Sequence, residues 1–383
     1  MPTTKLKNIA YQFILPFISP NCNTRAITCV IGHPVMNLGI AEKLYHRFHI
    51  LGSATLLSSG DDASIILTSS SDPHHEAYAD TYFRVASITK MATSVLTMHL
   101  AENHVLDLNT PVSTYFSSDA LPECFNRISL IQLLSHTSGL IDPPDLESSL
   151  NKGLPFPKLI SQSHCFSSDG KFHYSNLGFG IIGCILESVI EKPIGQIFDE
   201  LLFIPQKMNA TLEGCKLTKE KIMPVTRILP YHRDSDMILT DLGSKPLLYP
   251  DPMRHYGHTA GSMYADIAAI HKLLKLISES NRYLSDDTIS AVKKEHASYG
   301  KISPSLSYGL GLLRICDPYI SDHMIYGHQG FAYGCADGAF WEEQTGRIMI
   351  TLNGGCSEAR IGRLGTANRS FLHFAFRKEL PTW

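Results

Sequence analysis

The chain has 383 residues, 44% of them hydrophobic and 18% charged, with a formal net charge of −3. That balance supports a large buried core and excludes a disordered chain. No basic run occurs, so no nucleic-acid partner is expected, and no apolar stretch reaches the roughly eighteen residues of a membrane span.

The first 25 residues form an N-terminal segment of unclear role. Lys5 and Lys7 precede the apolar run Ile9 to Ile18, the outline of a signal peptide. Tyr11, Gln12 and Pro16 interrupt that run, and no small-residue cleavage site follows. Nine cysteines occur without a Cys-x-x-Cys pair, which reads as reduced and structural. Localisation therefore leans cytoplasmic, with export left open. Residues 34 to 48 read as an amphipathic helix weakened by Gly39. Residues 52 to 69 read as a hairpin, with Ala54 to Leu57 and Ser64 to Thr68 as strands and Gly60-Asp61-Asp62 as the turn. The apolar run Tyr82 to Ala86 leads into a helix starting at Ser87, where Met91, Val95 and Met98 recur at helical spacing. The middle, to about residue 250, is helical and loop-rich and includes the apolar helix Leu177 to Ile190. Strand patterns return at Tyr308 to Ile315, then as a hairpin of Ala339 to Trp341 and Arg347 to Leu352 around Glu343 to Gly346. Ser370 to Glu379 reads as a final helix. Strands at both ends and helices between them predict one α/β (α+β) sheet built from the two chain ends, with a helical lobe against it. The cleft between them is the default site.

Ser87-Ile88-Thr89-Lys90 places a hydroxyl and an amine on one helix face, one turn apart. A serine is a weak nucleophile until a base takes its proton, and a lysine of lowered pKa serves as that base. Ser149, Ser168, Ser290 and Ser298 also have a lysine three residues on, but none precedes an apolar helix that would hold the serine rigid. A first helical turn also leaves backbone N–H groups free to face developing negative charge.

Tyr174-Ser175-Asn176 lies on a loop entering the apolar helix. A phenol relays protons, and an amide both donates to a carbonyl and accepts from an amine. The alternative is that Asn176 caps the helix and Tyr174 packs beside it. His328-Gln329-Gly330 precedes Phe331 and the last strands, and a strand glycine permits close approach of a substrate to backbone N–H groups. The alternative there is a turn histidine. The run His74-His75-Glu76 raises a metal site, but adjacent histidines diverge and no Cys-x-x-Cys completes one. A solvated polar turn is the expectation, with no metal and no cofactor.

In order and spacing, Ser87/Lys90, Tyr174-Ser175-Asn176 and His328-Gln329-Gly330 resemble the serine β-lactamase and penicillin-binding-protein superfamily. The nearer resemblance is to its class C β-lactamase-like branch of D-Ala-D-Ala carboxypeptidases, D-aminopeptidases and esterases. Phe83 to Lys90, Leu106 to Leu108, Ile131 to Leu140, Tyr174 to Gly180 and Thr259 to Asp266 are also similar to family segments. The resemblance implies a β-lactamase/transpeptidase-like fold. In it, an antiparallel sheet of 26–85 and 258–383 is flanked by helices and interrupted by a mostly helical 86–257, as one catalytic unit. It implies a covalent acyl-serine on an ester or amide, formed by Ser87 with Lys90 and Tyr174. Asn176, His328, Gly330 and Phe331 would bind substrate, and the backbone N–H groups of Ser87 and Phe331 would form an oxyanion hole. His328 stands where lactamases often carry lysine, so the grip on a substrate carboxylate is expected to be weaker. Pocket segments are placed at Ile141 to Leu154, Tyr249 to His258 and Tyr333. The expected partner is a small-molecule or peptide substrate; oligomeric state is not readable. Two alternatives stay open: β-lactamase activity, and a silent relative that acts as a binding protein.

Overall fold

The computed structural model describes residues 24–32, 37–60, 62–70, 74–116, 121–144, 146–162, 166–167, 170–226, 245–332 and 334–377. The N-terminal run, Tyr333 and the last six residues lie outside them. The main sheet has nine antiparallel strands: β1 (Thr24–Gly32), β2 (Ser53–Ser59), β3 (Asp62–Ser70), β7 (Ala297–Ser298), β8 (Leu306–Tyr308), β9 (Leu313–Ile315), β10 (Ile325–Ala332), β11 (Cys335–Glu342) and β12 (Ile348–Asn353). Their order is β1-β3-β2-β12-β11-β10-β9-β8-β7, so strands from the two chain ends meet where β2 pairs with β12. The expected hairpins at 52–69 and 339–352 are both present. The expected single strand Tyr308 to Ile315 is instead two short strands. Gly311 is left-handed (φ 68°) and the Gly309 N–H bonds back to the Leu312 carbonyl, so the chain turns there.

β12 (Ile-Met-Ile-Thr-Leu-Asn) is buried along its whole length because both faces of the sheet are covered. Alternation sends Leu56, Trp341 and Ile350 to one core and Leu57, Phe340 and Met349 to the other. The second core is closed by helices α1 (Leu38–Arg47) and α7 (Thr366–Arg377) through Leu44, Tyr45, Phe371 and Leu372. The first is continuous with helices α2 (Thr89–Glu102), α4 (Asn176–Ile190) and α6 (Ile267–Ser278). Two shorter helices, α3 (Leu130–Leu134) and α5 (His258–Gly261), join that layer. A small sheet of β4 (Phe83–Arg84), β6 (Tyr264–Ala265) and β5 (Ala210–Thr211) leads the chain into α2.

α4 is apolar all round and buried from Leu177 to Glu187, the pattern of a helix inside a large core. A Cβ on Gly180 would lie 1.6 Å from the Tyr256 carbonyl oxygen. The glycine lets residues 256–261 lie directly on the helix, which brings the Ala260 carbonyl to the site. In the stretch after Asp72-Pro73, His74 and Glu76 are exposed as expected of a solvated turn, but His75 is not. His75 is 2% exposed and its Nε2 is 3.2 Å from the Thr226 hydroxyl, so it packs as a structural histidine.

Candidate active site

Ser87 does not begin α2, as the periodicity predicts; it sits in a 3₁₀ turn, Ala86–Ile88, and the helix starts at Thr89. Ala86 holds a left-handed φ of 46°, uncommon for a residue with a Cβ and strained. The turn is fixed on several sides. The Val85 N–H reaches the Met263 carbonyl at 3.0 Å, and the Thr89 hydroxyl reaches the Ala86 carbonyl at 2.6 Å. Strand β10 runs against the turn. A Cβ on Gly330 would meet the Val85 carbonyl oxygen at 2.3 Å, so the glycine admits the serine turn itself rather than only a substrate.

Lys90 is fully buried. Its Nζ lies within hydrogen-bond distance of Ser87 Oγ (3.1 Å), Asn176 Oδ1 (2.7 Å) and the Ala260 carbonyl (2.7 Å). Burial pushes the ammonium down from 10.5 to about 7, against the opposing pull of the Asp142 carboxylate. Two of its three partners can only accept. Ala260 offers a carbonyl, and Asn176 is oriented by its Nδ2, which donates to Asp142 Oδ2 at 2.9 Å, so Oδ1 faces the amine. A neutral amine has two N–H groups and one lone pair. The N–H groups go to the two obligate acceptors, and among the described residues the lone pair is left the Ser87 hydroxyl to face.

Asp142 organises this arrangement. It accepts from the backbone N–H of Asn176 (2.8 Å) and Leu177 (2.9 Å) and from the Ser175 hydroxyl (2.8 Å), at the positive end of α4. Ser175, not Asn176, is the N-cap, and its Oγ accepts from the Gly178 N–H. Sequence reading set Asp142 inside a pocket segment without singling it out. Its signal was a carboxylate just after the apolar run Leu140-Ile141.

Tyr174 is half-buried at a cavity wall, with its hydroxyl turned to interact with Ser87 and Lys90 Nζ 5.0 Å from its ring centre. Burial raises the phenol above its ordinary value, so it holds its proton across the neutral range. His328 lies 3% exposed on β10. Its Nδ1 is 2.7 Å from the Gln329 carbonyl and must donate; Nε2 therefore accepts from the Tyr308 hydroxyl at 2.9 Å. Burial, with Lys90 nearby, pushes its pKa down to about 3. The ring is neutral and both nitrogens are committed within the protein.

The N–H direction of Phe331 follows from strand parity. Glu343 N–H bonds to the Met324 carbonyl, so even-numbered β10 residues exchange bonds with β11 and odd-numbered ones turn to the opposite edge. β9 covers that edge only to Gly327. The Phe331 N–H is thus directed to the uncovered edge, where the Ser87 turn packs.

Two cavities meet at Ser87. One, of about 530 Å³, is lined by Arg84, Asp142, Pro143, Leu146, Tyr256 and Glu358 among others. The other, of about 470 Å³, has Phe172, Tyr174, Tyr299, His328, Arg360 and Arg363 in its lining, and no carboxylate among the described residues. Asn176, Phe331 and Arg360 border both. The structure thus brings Ser87, Lys90, Tyr174, Asn176, His328, Gly330 and Phe331 together. Arg360 and the Ala260 carbonyl were not singled out from the sequence. Arg360 follows no recognisable pattern, and a backbone acceptor has no residue signature.

The Beta-lactamase family model matches residues 62–352, and the chain belongs to that family, whose members are hydrolases. Among curated relatives, the D-alanyl-D-alanine-carboxypeptidase/endopeptidase AmpH of Escherichia coli (strain K12) is 29% identical over 141 residues, covering 34% of this chain and 37% of AmpH. The chain thus aligns with little more than a third of that relative's length. Esterase EstB of Burkholderia gladioli is 23% identical over 276 residues, 61% of this chain and 66% of EstB. Among solved structures, the D-amino acid amidase from Ochrobactrum anthropi SV3 complexed with L-phenylalanine amide superposes with a TM-score of 0.70 at 20% identity, over 89% of this chain and 96% of that one. These neighbours share the β-lactamase/transpeptidase fold. No helix of the described residues is long and apolar enough to cross a membrane.

Proposed function

We propose that this protein is a serine hydrolase of the class C β-lactamase-like branch, cleaving an ester or an amide of the D-amino-acid peptide type through an acyl-serine. The observation that carries the reading is the set of contacts around Lys90: two obligate acceptors take its protons, and the lone pair of the neutral amine is left for Ser87. In acylation, Ser87 Oγ bonds to the substrate carbonyl carbon while its proton passes to Lys90 Nζ. The carbonyl oxygen takes the negative charge, and we assign the N–H groups of Ser87 and Phe331 as its donors; each such donor is worth roughly 100- to 1000-fold. The proton then passes through the Tyr174 hydroxyl to the leaving alkoxide or amine as the tetrahedral species collapses. Tyr174 gives one proton and takes one, so a phenol that stays protonated suits it as relay rather than base. Water next attacks the acyl-serine, the acid leaves and the Ser87 hydroxyl is restored.

Asn176 steadies the amine and borders both cavities, so it is placed to meet the substrate carbonyl side. His328 and Gly330 act as wall and spacer. His328 is neutral with both nitrogens committed, so it offers no cation to a β-lactam carboxylate. A D-amino acid amidase and an esterase among the neighbours support the substrate class. The test is Ser87→Ala, assayed on short acyl esters and D-amino-acid amides, with intact-mass analysis after a fluorophosphonate. Turnover falls by about four orders of magnitude or more, and the adduct, found on Ser87 in the native protein, disappears. A variant that retains turnover places the nucleophile elsewhere.

A further inference from the structure

Tyr174 is held by a residue that never touches Ser87. His136 lies beyond the end of helix α3, 1% exposed, with a left-handed φ of 58°. Its carbonyl accepts the His173 N–H at 2.9 Å, and its ring Nδ1 accepts the Ser175 N–H at 3.1 Å. These two amides flank Tyr174 in sequence, so one residue grips the loop on both sides of the phenol. The His136 ring also lies 4.3 Å from the Tyr174 ring, centre to centre. The rings of Phe172, Phe179 and Tyr308 surround it at 5.6, 5.0 and 4.8 Å.

The protonation state follows from the hydrogen bond. An Nδ1 that accepts carries no proton, so the neutral ring holds its proton on Nε2. Protonating Nδ1 would break the bond to Ser175. Burial and the nearby Lys90 agree, pushing the His136 pKa well below its ordinary 6.5. Nε2 has no hydrogen-bond partner among the described residues. A buried imidazole with one orphan nitrogen costs more than an apolar ring of the same shape. Its one directed side-chain contact is the bond to the Tyr174 loop, and that contact is what an apolar ring would lack.

We propose that His136 is a positioning residue for the proton relay: it sets the Tyr174 hydroxyl against Ser87 by fixing the amides on either side of it. The inference rests on the role assigned to Tyr174. It predicts an effect on kcat rather than KM, exerted only through Tyr174. The test is a double-mutant cycle of His136→Ala and Tyr174→Phe, with p-nitrophenyl acetate as the probe. Tyr174→Phe lowers kcat by about 100-fold or more, and His136→Ala by about 10- to 100-fold with KM within about twofold. The double variant is no worse than Tyr174→Phe alone, because the second change has nothing left to misplace. His136→Asn tolerates the left-handed backbone and offers an amide oxygen to the Ser175 N–H, so it restores kcat to within about threefold of the native enzyme. Losses that multiply overturn the proposal, as does His136→Ala at native kcat. If the alanine variant does not fold, the asparagine variant decides alone: kcat near native supports the proposal, and a fall to the Tyr174→Phe level overturns it. An unimpaired Tyr174→Phe removes the relay and this proposal together, while the Ser87 adduct would still mark the nucleophile.

Discussion

Lys90 and Tyr174 face the same hydroxyl, Lys90 fully buried and Tyr174 half-buried at a cavity wall, and they reach the site by opposite routes. Lys90 comes from the first turn of α2, three residues after Ser87 and directly after its 3₁₀ turn, so its reach is set by local helical geometry. Tyr174 comes from a loop before α4 and is placed by contacts from α3 and the following turn. Burial moves both towards the neutral form: it strips the proton from the amine near pH 7 and keeps it on the phenol. In the mechanism proposed, one low-dielectric site thus makes a base of one group and a relay of the other. On that reading the local pair supplies the chemistry, and the distant segments supply the orientation.

Removing the local base tests that division most severely. Lys90→Met keeps the length of the side chain and loses the amine, and kcat/KM falls by about 1000- to 10,000-fold in a steady-state assay. Its stability carries a signed effect. Between about pH 7 and 10.5 the unfolded chain holds a lysine proton that the folded chain has lost, so this group favours folding more as pH rises and disfavours it most below 7. Denaturation at pH 6 and pH 10 should therefore show the methionine variant gaining on the native protein at the lower pH. The opposite trend would mean the amine is charged in the fold.

Gly330→Ala probes the packing of strand against turn. The new Cβ meets the Val85 carbonyl, so β10 and the Ser87 turn must separate. We expect kcat to fall about 100-fold and stability by about 1–3 kcal/mol, read from kinetics and urea melts. Asp142→Ala is milder because it touches neither Ser87 nor Lys90, acting through Asn176, the start of α4 and its charge's pull on the Lys90 ammonium. It removes four hydrogen bonds, and the expected cost is about tenfold in kcat and about 1–2 kcal/mol. An unaffected kcat would mean Asn176 keeps its orientation unaided.

Legibility in the sequence followed the range of each interaction. The 52–69 hairpin, the helix after Ser87 and the Ser87–Lys90 pair are short-range patterns, and all were readable. The two glycines at 309 and 311 marked a turn that the apolar run around them concealed. Asp142 could not be singled out because its partners, the Ser175 hydroxyl and the Asn176 and Leu177 amides, lie 33 to 35 residues away. His136 was read only as part of a familiar segment, since nothing local reveals that its ring would grip another loop. The left-handed Ala86 gave no signal, because alanine at such a position is set by surrounding structure rather than by preference.

The most direct measurement is the pH dependence of Ser87 acylation by a fluorophosphonate, followed as single-turnover labelling. With Lys90 as the base, the rate rises with pH through one ionisation near 7 and levels off above it, and Lys90→Met abolishes that step. A labelling rate that ignores pH across the neutral range, or climbs only near the value of an ordinary exposed lysine, would contradict the neutral amine on which the account depends.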